Sequence, residues 1–245
     1  MNRPGFWSSA GKWSLVIVMT APLLLPALVI APVAPRTSAR LLRLWAAAAR
    51  SVFGIVVECV DHNAGRYPAG AYLFVSLNQT SLAETIVTPE VLPRPVAVFA
   101  NLEYALLPLV GWLMVAQGGV VVIRQWRAQA RRAVDRAIAR SKRGRSFYMS
   151  IEGRRSPDGA LQPYKKGAAV LAIASGATVV PLVMHGMREV LPLGEWRVRP
   201  GRVRVELLEA LDPISLGYDD RDRLTTRLRG LAEASLGTAA RSVPS

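Results

Sequence analysis

The sequence predicts an α/β fold: a mostly parallel central sheet covered by helices, preceded by an N-terminal membrane-associated helical segment. Three observations carry this prediction. From residue 54 onward, short β-rich runs alternate with helical stretches, which is typical of a parallel sheet. The residues before this point contain a long uncharged stretch followed by a basic amphipathic one. The chain has 245 residues, which is enough for one sizeable domain.

The first element is the uncharged stretch. Residues 13–34 read WSLVIVMTAPLLLPALVIAPVA, which is 22 residues without a charge and long enough to cross a bilayer core. The prolines Pro22, Pro26 and Pro32 complicate a straight helix, so a clean span, a bent helix and a re-entrant hairpin all stay open. A cleaved signal peptide is disfavoured, because the apolar stretch is too long for the core of such a peptide.

The second element is a basic amphipathic helix over residues 37–53, TSARLLRLWAAAARSVF. Its basic face carries Arg40, Arg43 and Arg50. The opposite stripe consists of Leu41, Leu44, Trp45, Ala48 and Val52. Such a pattern is typical of a helix at a membrane interface, although an ordinary surface helix packed on a core would show it too. Its position directly after the uncharged stretch favours the membrane.

The remaining elements alternate strand and helix. Strands are predicted over residues 54–60, 71–77, 95–100, 118–123, 146–151, 178–186 and 202–211. Helices are predicted over residues 125–143, 166–175 and 220–236. We therefore expect two units: a membrane anchor with the basic amphipathic helix over residues 1–53, and an α/β domain over residues 54–245.

The charge of the chain favours anionic partners. The net charge is +14, and the predicted helix over residues 125–143 places Arg132, Arg136, Arg140 and Arg143 on one side. This side suits either anionic lipid headgroups or plain solvation of a sheet-covering helix. No nucleic-acid-binding motif is recognisable, so we expect no nucleic-acid partner.

The sequence offers few metal ligands or reactive thiols. Cys59 is the single cysteine and stands in the apolar run GIVVECV, so we expect a buried, inert thiol. The chain has two histidines, His62 and His185, and such a small set makes a zinc site improbable. We therefore predict no metal site.

Polar residues cluster in two loops that follow predicted strands. NQTSLAE, residues 78–84, follows the strand AYLFVSL, and EGRRSPDG, residues 152–159, follows the strand SFYMSI. In open α/β sheets, ligands bind outside the carboxyl ends of the strands. The two loops are therefore the candidate functional site.

Four blocks stand in the sequence in the order NQTSLAE, GGVVVIR, EGRRSPDG and VVPL. Together they resemble the glycerolipid acyltransferase family, which includes the lysophosphatidate acyltransferases. The family's first block is Asn-His-x-Ser-x-x-Asp, and Asn78, Gln79, Thr80, Ser81 and Glu84 occupy it here. The second block ends in a strand and an arginine, here GGVVVIR ending at Arg124. The third is Glu-Gly-Thr-Arg-Ser, here Glu152, Gly153, Arg154, Arg155 and Ser156. The fourth is a Val-Pro strand, here Val179, Val180, Pro181 and Leu182.

The resemblance covers about residues 50–215 and implies an enzyme. Family members transfer a fatty acyl group from a coenzyme A or carrier-protein thioester to a hydroxyl, usually of a lysophospholipid or of glycerol phosphate. It therefore implies acyl-CoA or acyl-carrier protein as co-substrate and no bound cofactor. The implied partners are a membrane phospholipid surface and a lysolipid acceptor, with acyl-carrier protein a further candidate. The implied location is a membrane, the cytoplasmic face of the inner membrane if the chain is bacterial.

The resemblance also assigns candidate residues. Those expected to bind substrate are Asn78, Ser81, Arg124, Glu152, Gly153, Arg154, Arg155, Ser156 and Lys166. Arg124 and Arg155 match the family's arginines, and a guanidinium binds phosphate through its planar fork. Glu152 is expected to orient the arginines or to contact an acceptor hydroxyl.

The catalytic base is where the sequence departs from the family. The family uses the first-block histidine as the general base and the aspartate to orient it, whereas Gln79 and Glu84 stand at these positions. An amide cannot accept a proton near neutral pH, so three hypotheses remain. Glu84 acts as the base with Gln79 assisting, provided that burial raises the pKa of the carboxyl. Alternatively the enzyme is slow and relies on positioning, or the domain is inactive and binds lipid or a partner.

Other residues bear on the base and the acceptor. His185 follows the fourth-block strand and His62 lies in a turn, and a structural role is expected for both. Ser150 and Ile151 replace the family's Phe-Pro, and Asn101 replaces its lysine. These departures leave open a lysolipid other than lysophosphatidate, or a specialised non-glycerol acceptor.

Overall fold

The N-terminal region forms a helical hairpin. A computed structural model describes residues 5–123 and 125–241. Helix α1 spans Phe6–Ile30 without a break at Pro22 or Pro26, and helix α2, Pro35–Phe53, returns along it. Side chains join the two helices, since Ser38 Oγ donates to the carbonyl of Ala27 at 2.8 Å and Trp45 Nε1 donates to Thr20 Oγ1 at 2.9 Å.

The outer side of α1 is apolar and exposed. Among the described residues, α1 is the one helix long and apolar enough to cross a membrane, with a mean hydropathy of 2.2 in its most apolar window. Large side chains such as Ile17, Val18 and Val29 are more than half exposed. The length and composition of α1 therefore confirm the prediction of an N-terminal helical segment suited to membrane association.

Helix α2 differs from the predicted interfacial helix. Arg43 Nη2 donates to the carbonyl of Leu92 at 2.5 Å, and Arg50 pairs with Glu90 at 2.9 Å. The prediction of one outward-facing basic face is therefore wrong for Arg43 and Arg50, although Arg40 is exposed. The physical reason is that α2 lies between α1 and the helix over residues 84–91, whose C-terminal carbonyls and carboxylate attract the two guanidinium groups.

The chain after residue 53 builds a seven-stranded sheet in the order β1-β7-β6-β2-β5-β3-β4. Its strands are β1 Ile55–Asp61, β2 Tyr72–Ser76, β3 Ala97–Asn101, β4 Val120–Val122, β5 Phe147–Ser150, β6 Thr178–His185 and β7 Gly201–Leu207. All neighbouring strands are parallel except β6 and β7. The predicted mostly parallel sheet is confirmed.

Helices cover both faces of this sheet. They are α3 Glu84–Val91, α4 Leu102–Ala105, α5 Val110–Ala116, α6 Arg127–Ser141, α7 Gly167–Ser175, α8 Met187–Val190 and α9 Arg221–Arg241, with a 3-10 turn at Tyr218–Asp220. Sequence periodicity predicted α6, α7 and α9. On α6, Ala133 and Ala137 are buried while Arg132, Arg136 and Arg140 are exposed, as the sheet-covering alternative requires.

Two buried clusters lie on opposite faces of the sheet. One contains Phe74 and Leu182 and includes Trp45 and Phe53 of the hairpin. The other contains alternate strand residues such as Leu73 and packs under α6, α7 and α9. The division into an N-terminal anchor and an α/β domain at residue 53 stays a prediction. The first cluster contains residues from both sides of this boundary.

Cys59 is exposed, so the prediction of a buried thiol is wrong. The run GIVVECV forms β1, which lies at the edge of the sheet beside β7. Because an edge strand is covered less completely than a central one, an apolar sequence there does not guarantee burial of each side chain.

Candidate functional site

The two candidate loops lie side by side. Ser76 at the end of β2 pairs in register with Ser150 at the end of β5, so both loops leave the same edge of the sheet. The backbone N–H of Gln79 donates to Glu152 Oε2 at 2.8 Å, and the N–H of Ser156 donates to the carbonyl of Gln79 at 2.6 Å. Gln79 is thus held on both sides of its backbone by the second loop.

Glu152 braces this junction. Its side chain is buried, and its other oxygen, Oε1, accepts a 2.7 Å hydrogen bond from the N–H of Gln162. Burial raises the pKa of the Glu152 carboxyl, while the two backbone donors oppose that shift. Since both oxygens accept from backbone within the loops, the structure gives Glu152 an internal role where the sequence suggested contact with the arginines or the acceptor.

Asn78 and Ser81 also have internal partners. The Asn78 amide donates to the carbonyl of Met184 at 2.7 Å and accepts from its N–H at 2.9 Å, which joins the loop to β6. Ser81 Oγ donates to the carbonyl of Leu191 at 2.8 Å and accepts from the N–H of Ala83. These buried contacts hold the loop in place, and the substrate-binding role expected of both side chains stays a prediction.

Glu84 is the first residue of α3 and turns its carboxylate back over the loop. Oε1 accepts hydrogen bonds from the backbone N–H groups of Thr80 at 2.9 Å and Ser81 at 3.3 Å. Oε2 is buried and has no hydrogen-bond partner within the described part of the chain. Only 4% of the residue is exposed. One carboxylate oxygen is therefore fixed, and the other remains available to a ligand.

The environment of Glu84 changes its acidity. Burial is the largest cause and raises the pKa of the Glu84 carboxyl to about 8, against the two backbone donors, which lower it. The charge of Glu152 raises the pKa further, and that of Arg155 lowers it. Burial thus supplies the shift that a carboxylate needs in order to serve as a general base near neutral pH.

Glu84 lies in the wall of a large cleft, here named the hairpin cleft, of about 1300 Å³. The apolar part of its lining includes Trp13, Val16, Ile17, Leu42, Trp45 and Met114 from α1, α2 and α5. The polar part includes Gln79, Glu84, Tyr148, Gly153, Lys165 and Lys166. A ligand with an apolar tail and a polar head would match this division.

The predicted phosphate-binding residues are distributed unevenly. Arg124 lies outside the described residues. Arg155 is half-buried and close enough to Glu84 for its charge to lower the pKa of that carboxyl. Arg154 is exposed and donates to Gln162 Oε1 at 2.8 Å. Lys166 lines the cleft and pairs with Asp222 at 2.7 Å.

Gly153 and Ser156 shape the second loop. Gly153 has a φ of +67°, which favours glycine, and a Cβ there would stand 3.0 Å from Lys165 Nζ. Ser156 is buried, donates to Asp158 Oδ1 at 2.9 Å and accepts from the N–H of Gly159. Gly153 therefore lets Lys165 approach the cleft, and Ser156 closes a turn.

Neither histidine replaces the missing imidazole. His185 Nε2 lies 3.6 Å from Glu206 Oε1 and 3.3 Å from Ser235 Oγ of α9, and all three residues lie outside the lining of the hairpin cleft. Burial lowers the pKa of its imidazole. His62 follows β1, and its backbone N–H donates to the carbonyl of Leu207. Both placements agree with the structural roles expected from the sequence.

Sequence reasoning missed Tyr148 and Gln162. Tyr148 of β5 lines the hairpin cleft, and burial together with the charge of Glu84 raises the pKa of its hydroxyl. An aromatic residue in a central strand just before a polar loop was the available signal. Gln162 gave no local signal, since its contacts with Glu152 and Arg154 depend on how the loop folds.

The chain is similar to known acyltransferases. The family model described as Acyltransferase matches residues 61–185. A 1-acyl-sn-glycerol-3-phosphate acyltransferase of Salmonella typhimurium is 27% identical over 191 residues, which are 76% of this chain and 74% of that protein. The chloroplastic 1-acyl-sn-glycerol-3-phosphate acyltransferase BAT2 of Brassica napus is 39% identical over 103 residues, but these span only 40% of this chain and 29% of that protein.

A solved structure has the same fold. The 1-acyl-sn-glycerophosphate (LPA) acyltransferase PlsC from Thermotoga maritima superposes with a TM-score of 0.71 at 21% sequence identity, over 94% of this chain and 99% of that one. The matched family segment begins at the end of β1 and ends with β6, so it contains both candidate loops. The chain belongs to the acyltransferase family.

Proposed function

We propose that this chain transfers a fatty acyl group from acyl-CoA or acyl-carrier protein to the hydroxyl of a lysophospholipid such as 1-acylglycerol-3-phosphate. The observation that carries the proposal is the carboxylate of Glu84, which is buried in the cleft wall with one oxygen held by backbone donors and the other without a partner. The substrate class is taken from the names of the similar acyltransferases of Salmonella and Brassica.

In this mechanism Glu84 is the general base. Its carboxylate takes the proton of the acceptor hydroxyl while the hydroxyl oxygen attacks the thioester carbonyl carbon. The tetrahedral intermediate then collapses, the carbon–sulfur bond breaks, and Glu84 returns the proton to the leaving thiolate. The products are the ester and the free thiol, and Glu84 ends in its starting state.

Gln79 assists as a hydrogen-bond donor. Its side chain lines the hairpin cleft, and its backbone is fixed by Glu152 and Ser156. Because the backbone is held, the side-chain amide starts from a defined position in the cleft and can donate to the acceptor or to the developing oxyanion. This assigns Gln79 a positioning and stabilising role in place of the proton transfer that an imidazole would perform.

The polar head of the acceptor meets positive charge. Arg155 stands near Glu84, and Lys165 and Lys166 line the cleft beside Gly153. A phosphate placed there would be held by charge-assisted hydrogen bonds. Arg124 belongs to the proposal on the family resemblance alone. The apolar walls contributed by α1, α2 and α5 would cover the acyl chains.

The acyl chains would reach this cleft from a lipid surface. Helix α5 packs against α1, and the α4–α5 segment exposes Leu102, Leu106, Leu107, Trp112 and Val115. Its inner side lines the hairpin cleft. We propose that the outer sides of α1 and α4–α5 enter the membrane together, since exposed apolar patches of this kind mark interaction surfaces.

A catalytically silent lipid-binding protein is the second candidate. It is favoured by the same burial that raises the pKa of Glu84, because Oε2 is shielded from solvent and Gln79 cannot accept a proton. A silent protein would keep the cleft and its affinity for lysolipid but would not turn it over.

An acyl-transfer assay separates the two candidates. We expect the purified protein to acylate at least one member of a lysophospholipid panel, and Glu84→Gln to lose roughly 10²–10⁴-fold in rate. Glu209→Gln, at an exposed carboxylate, is the matched control and should keep full activity. If the wild type is inert with every acceptor while Gln79→His gains activity, the silent function is correct. If Glu84→Gln keeps full activity, Glu84 is not the base.

A further inference from the structure

Two buried polar atoms stand one helical turn apart on α3. Glu84 Oε2 has no hydrogen-bond partner among the described residues, and Thr88 Oγ1 has the Tyr148 hydroxyl beside it. Glu84 is 4% exposed and Thr88 is 6% exposed. Residues four apart share one face of a helix, and both residues line the hairpin cleft. The two atoms therefore face the same part of the cleft wall.

A third oxygen lies opposite them. Tyr148 of β5 lines the same cleft, and its environment includes the charge of Glu84 and the hydroxyls of Thr88 and Ser76. Burial and Glu84 raise the pKa of the Tyr148 hydroxyl, and the two neighbouring hydroxyls lower it. A carboxylate and two hydroxyls thus lie close together between α3 and β5.

Leaving such groups unpaired is costly. A buried polar group without a hydrogen bond costs about 1–3 kcal/mol, so the unpaired Glu84 Oε2 in the cleft wall calls for a ligand. The ligand must accept from Glu84 Oε2 while the carboxyl is protonated and donate to it once the carboxyl is ionised. A single hydroxyl group does both, whereas an anion would be repelled by the ionised carboxylate.

We propose that Glu84 Oε2, Thr88 Oγ1 and the Tyr148 hydroxyl form a subsite for one hydroxyl group, supplied by a water molecule or by the acceptor. The hydroxyl is oriented by Thr88 and Tyr148, and it donates its hydrogen to Glu84 Oε2 once the carboxyl is ionised. Three polar partners are within the number that an internal water normally has.

The subsite explains how a buried carboxylate can reach the substrate, and in this respect it rests on the proposed function. If the bound hydroxyl is that of the acceptor, its proton passes directly to Glu84. If it is a water, the water gives one proton to Glu84 and takes the proton of the acceptor hydroxyl. Thr88 and Tyr148 are then positioning residues, because they act through the bound hydroxyl.

The titration of Glu84 tests the subsite without turnover. In detergent micelles, the carboxyl signal of Glu84 can be followed by infrared or ¹³C NMR titration and assigned by subtracting Glu84→Gln. Tyr148→Phe and Thr88→Val each remove one hydroxyl that orients the bound group. We expect each to raise the titration midpoint by about 0.5–1 pH unit, which is the loss of a fraction of one hydrogen bond to the ionised form. The charges of Glu152 and Arg155 also act on Glu84 but are unchanged in both variants.

Thr85→Val is the matched control. Thr85 lies on the same helix but is exposed and donates to the carbonyl of Leu82, so its loss should leave the midpoint unchanged. Shifts in Tyr148→Phe and Thr88→Val without lipid identify the bound hydroxyl as water. Shifts seen only with 1-acylglycerol-3-phosphate present identify it as that of the acceptor.

Absence of a shift in both variants, with and without lipid, overturns the subsite. The result is independent of the acyl-transfer assay. If the midpoint shifts but no acceptor is turned over, the subsite stands and the proposed acyl transfer fails. If acceptors are turned over but the midpoint does not shift, the proposed acyl transfer stands and the subsite fails.

Discussion

Glu152 Oε2 accepts a 2.8 Å hydrogen bond from the backbone N–H of Gln79, and this contact joins the two loops that carry the candidate site. The loops belong to segments 73 residues apart in the chain. With Oε1 bonded to Gln162, the Glu152 side chain satisfies two backbone donors at once. The position of residue 79 in the hairpin cleft therefore depends on a carboxylate that need not touch the substrate.

Replacing Glu152 by Gln should loosen this junction. The amide keeps one accepting oxygen, but its NH₂ group would face a backbone N–H, leaving a buried donor unpaired. We expect the free energy of unfolding to fall by about 1–3 kcal/mol and acyl transfer to fall with it. Denaturant unfolding of Glu152→Gln beside the exposed control Glu209→Gln measures the effect. Equal stability of the two variants would show that the contact does not hold the loops.

The raised pKa of Glu84 also predicts how stability depends on pH. The folded state holds the Glu84 proton up to about pH 8, whereas an unfolded glutamate releases it near pH 4.3. Stability from this group is thus fully present below about pH 4 and is lost as the pH rises through about 8. Between these limits the free energy of unfolding falls by about 1.4 kcal/mol per pH unit.

Glu84→Gln isolates this contribution, because it removes the titrating group and keeps an accepting oxygen. We expect the stability difference between Glu84→Gln and wild type to grow in favour of the variant from pH 5 to pH 8 and then to level off. Thermal or denaturant unfolding across this range provides the measurement. A constant difference would mean that Glu84 titrates near its ordinary value.

The α4–α5 segment is expected to contact lipid. Leu106 is 68% exposed, and its transfer into a membrane would contribute about 1.5–3 kcal/mol. Leu106→Asp should therefore weaken binding to phosphatidylcholine vesicles containing anionic phosphatidylglycerol by at least 10-fold. Vesicle sedimentation measures the partition.

Ile214 provides the matched control for this substitution. It is 81% exposed and lies near Leu211, which bridges to Val179 at the amino end of β6, whereas α4 follows the carboxyl end of β3. Ile214→Asp should leave vesicle binding unchanged. A similar loss of vesicle binding in both variants would mean that the membrane contact lies elsewhere, or that the added charge weakens binding wherever it is placed.

The order of elements could be predicted from the sequence because it depends on local patterns. Alternating apolar runs and helical periodicity identified the strands and α6, α7 and α9. The adjacency of the two loops followed from the rule that parallel strands end at one edge of the sheet. Burial of Glu84 was required by the proposed chemistry, and the structure provides it.

What could not be predicted depends on contacts between distant segments. Asn78 bonds to the backbone of Met184, 106 residues away, and no local pattern distinguishes this from substrate binding. Arg43 bonds to a carbonyl 49 residues away, which turned an apparent membrane-facing arginine inward. The exposure of Cys59 depends on the place of β1 at the sheet edge, which strand sequences do not encode directly.

The pH dependence of kcat/KM for wild type and Glu84→Gln tests most directly whether Glu84 is the base. A base must be ionised, and the pKa of Glu84 is raised to about 8. The account predicts that kcat/KM of the wild type rises about 10-fold per pH unit below pH 8 and levels above it, while Glu84→Gln is about 10²–10⁴-fold slower at the plateau and lacks this rise. Full activity of Glu84→Gln with an unchanged pH profile would contradict it.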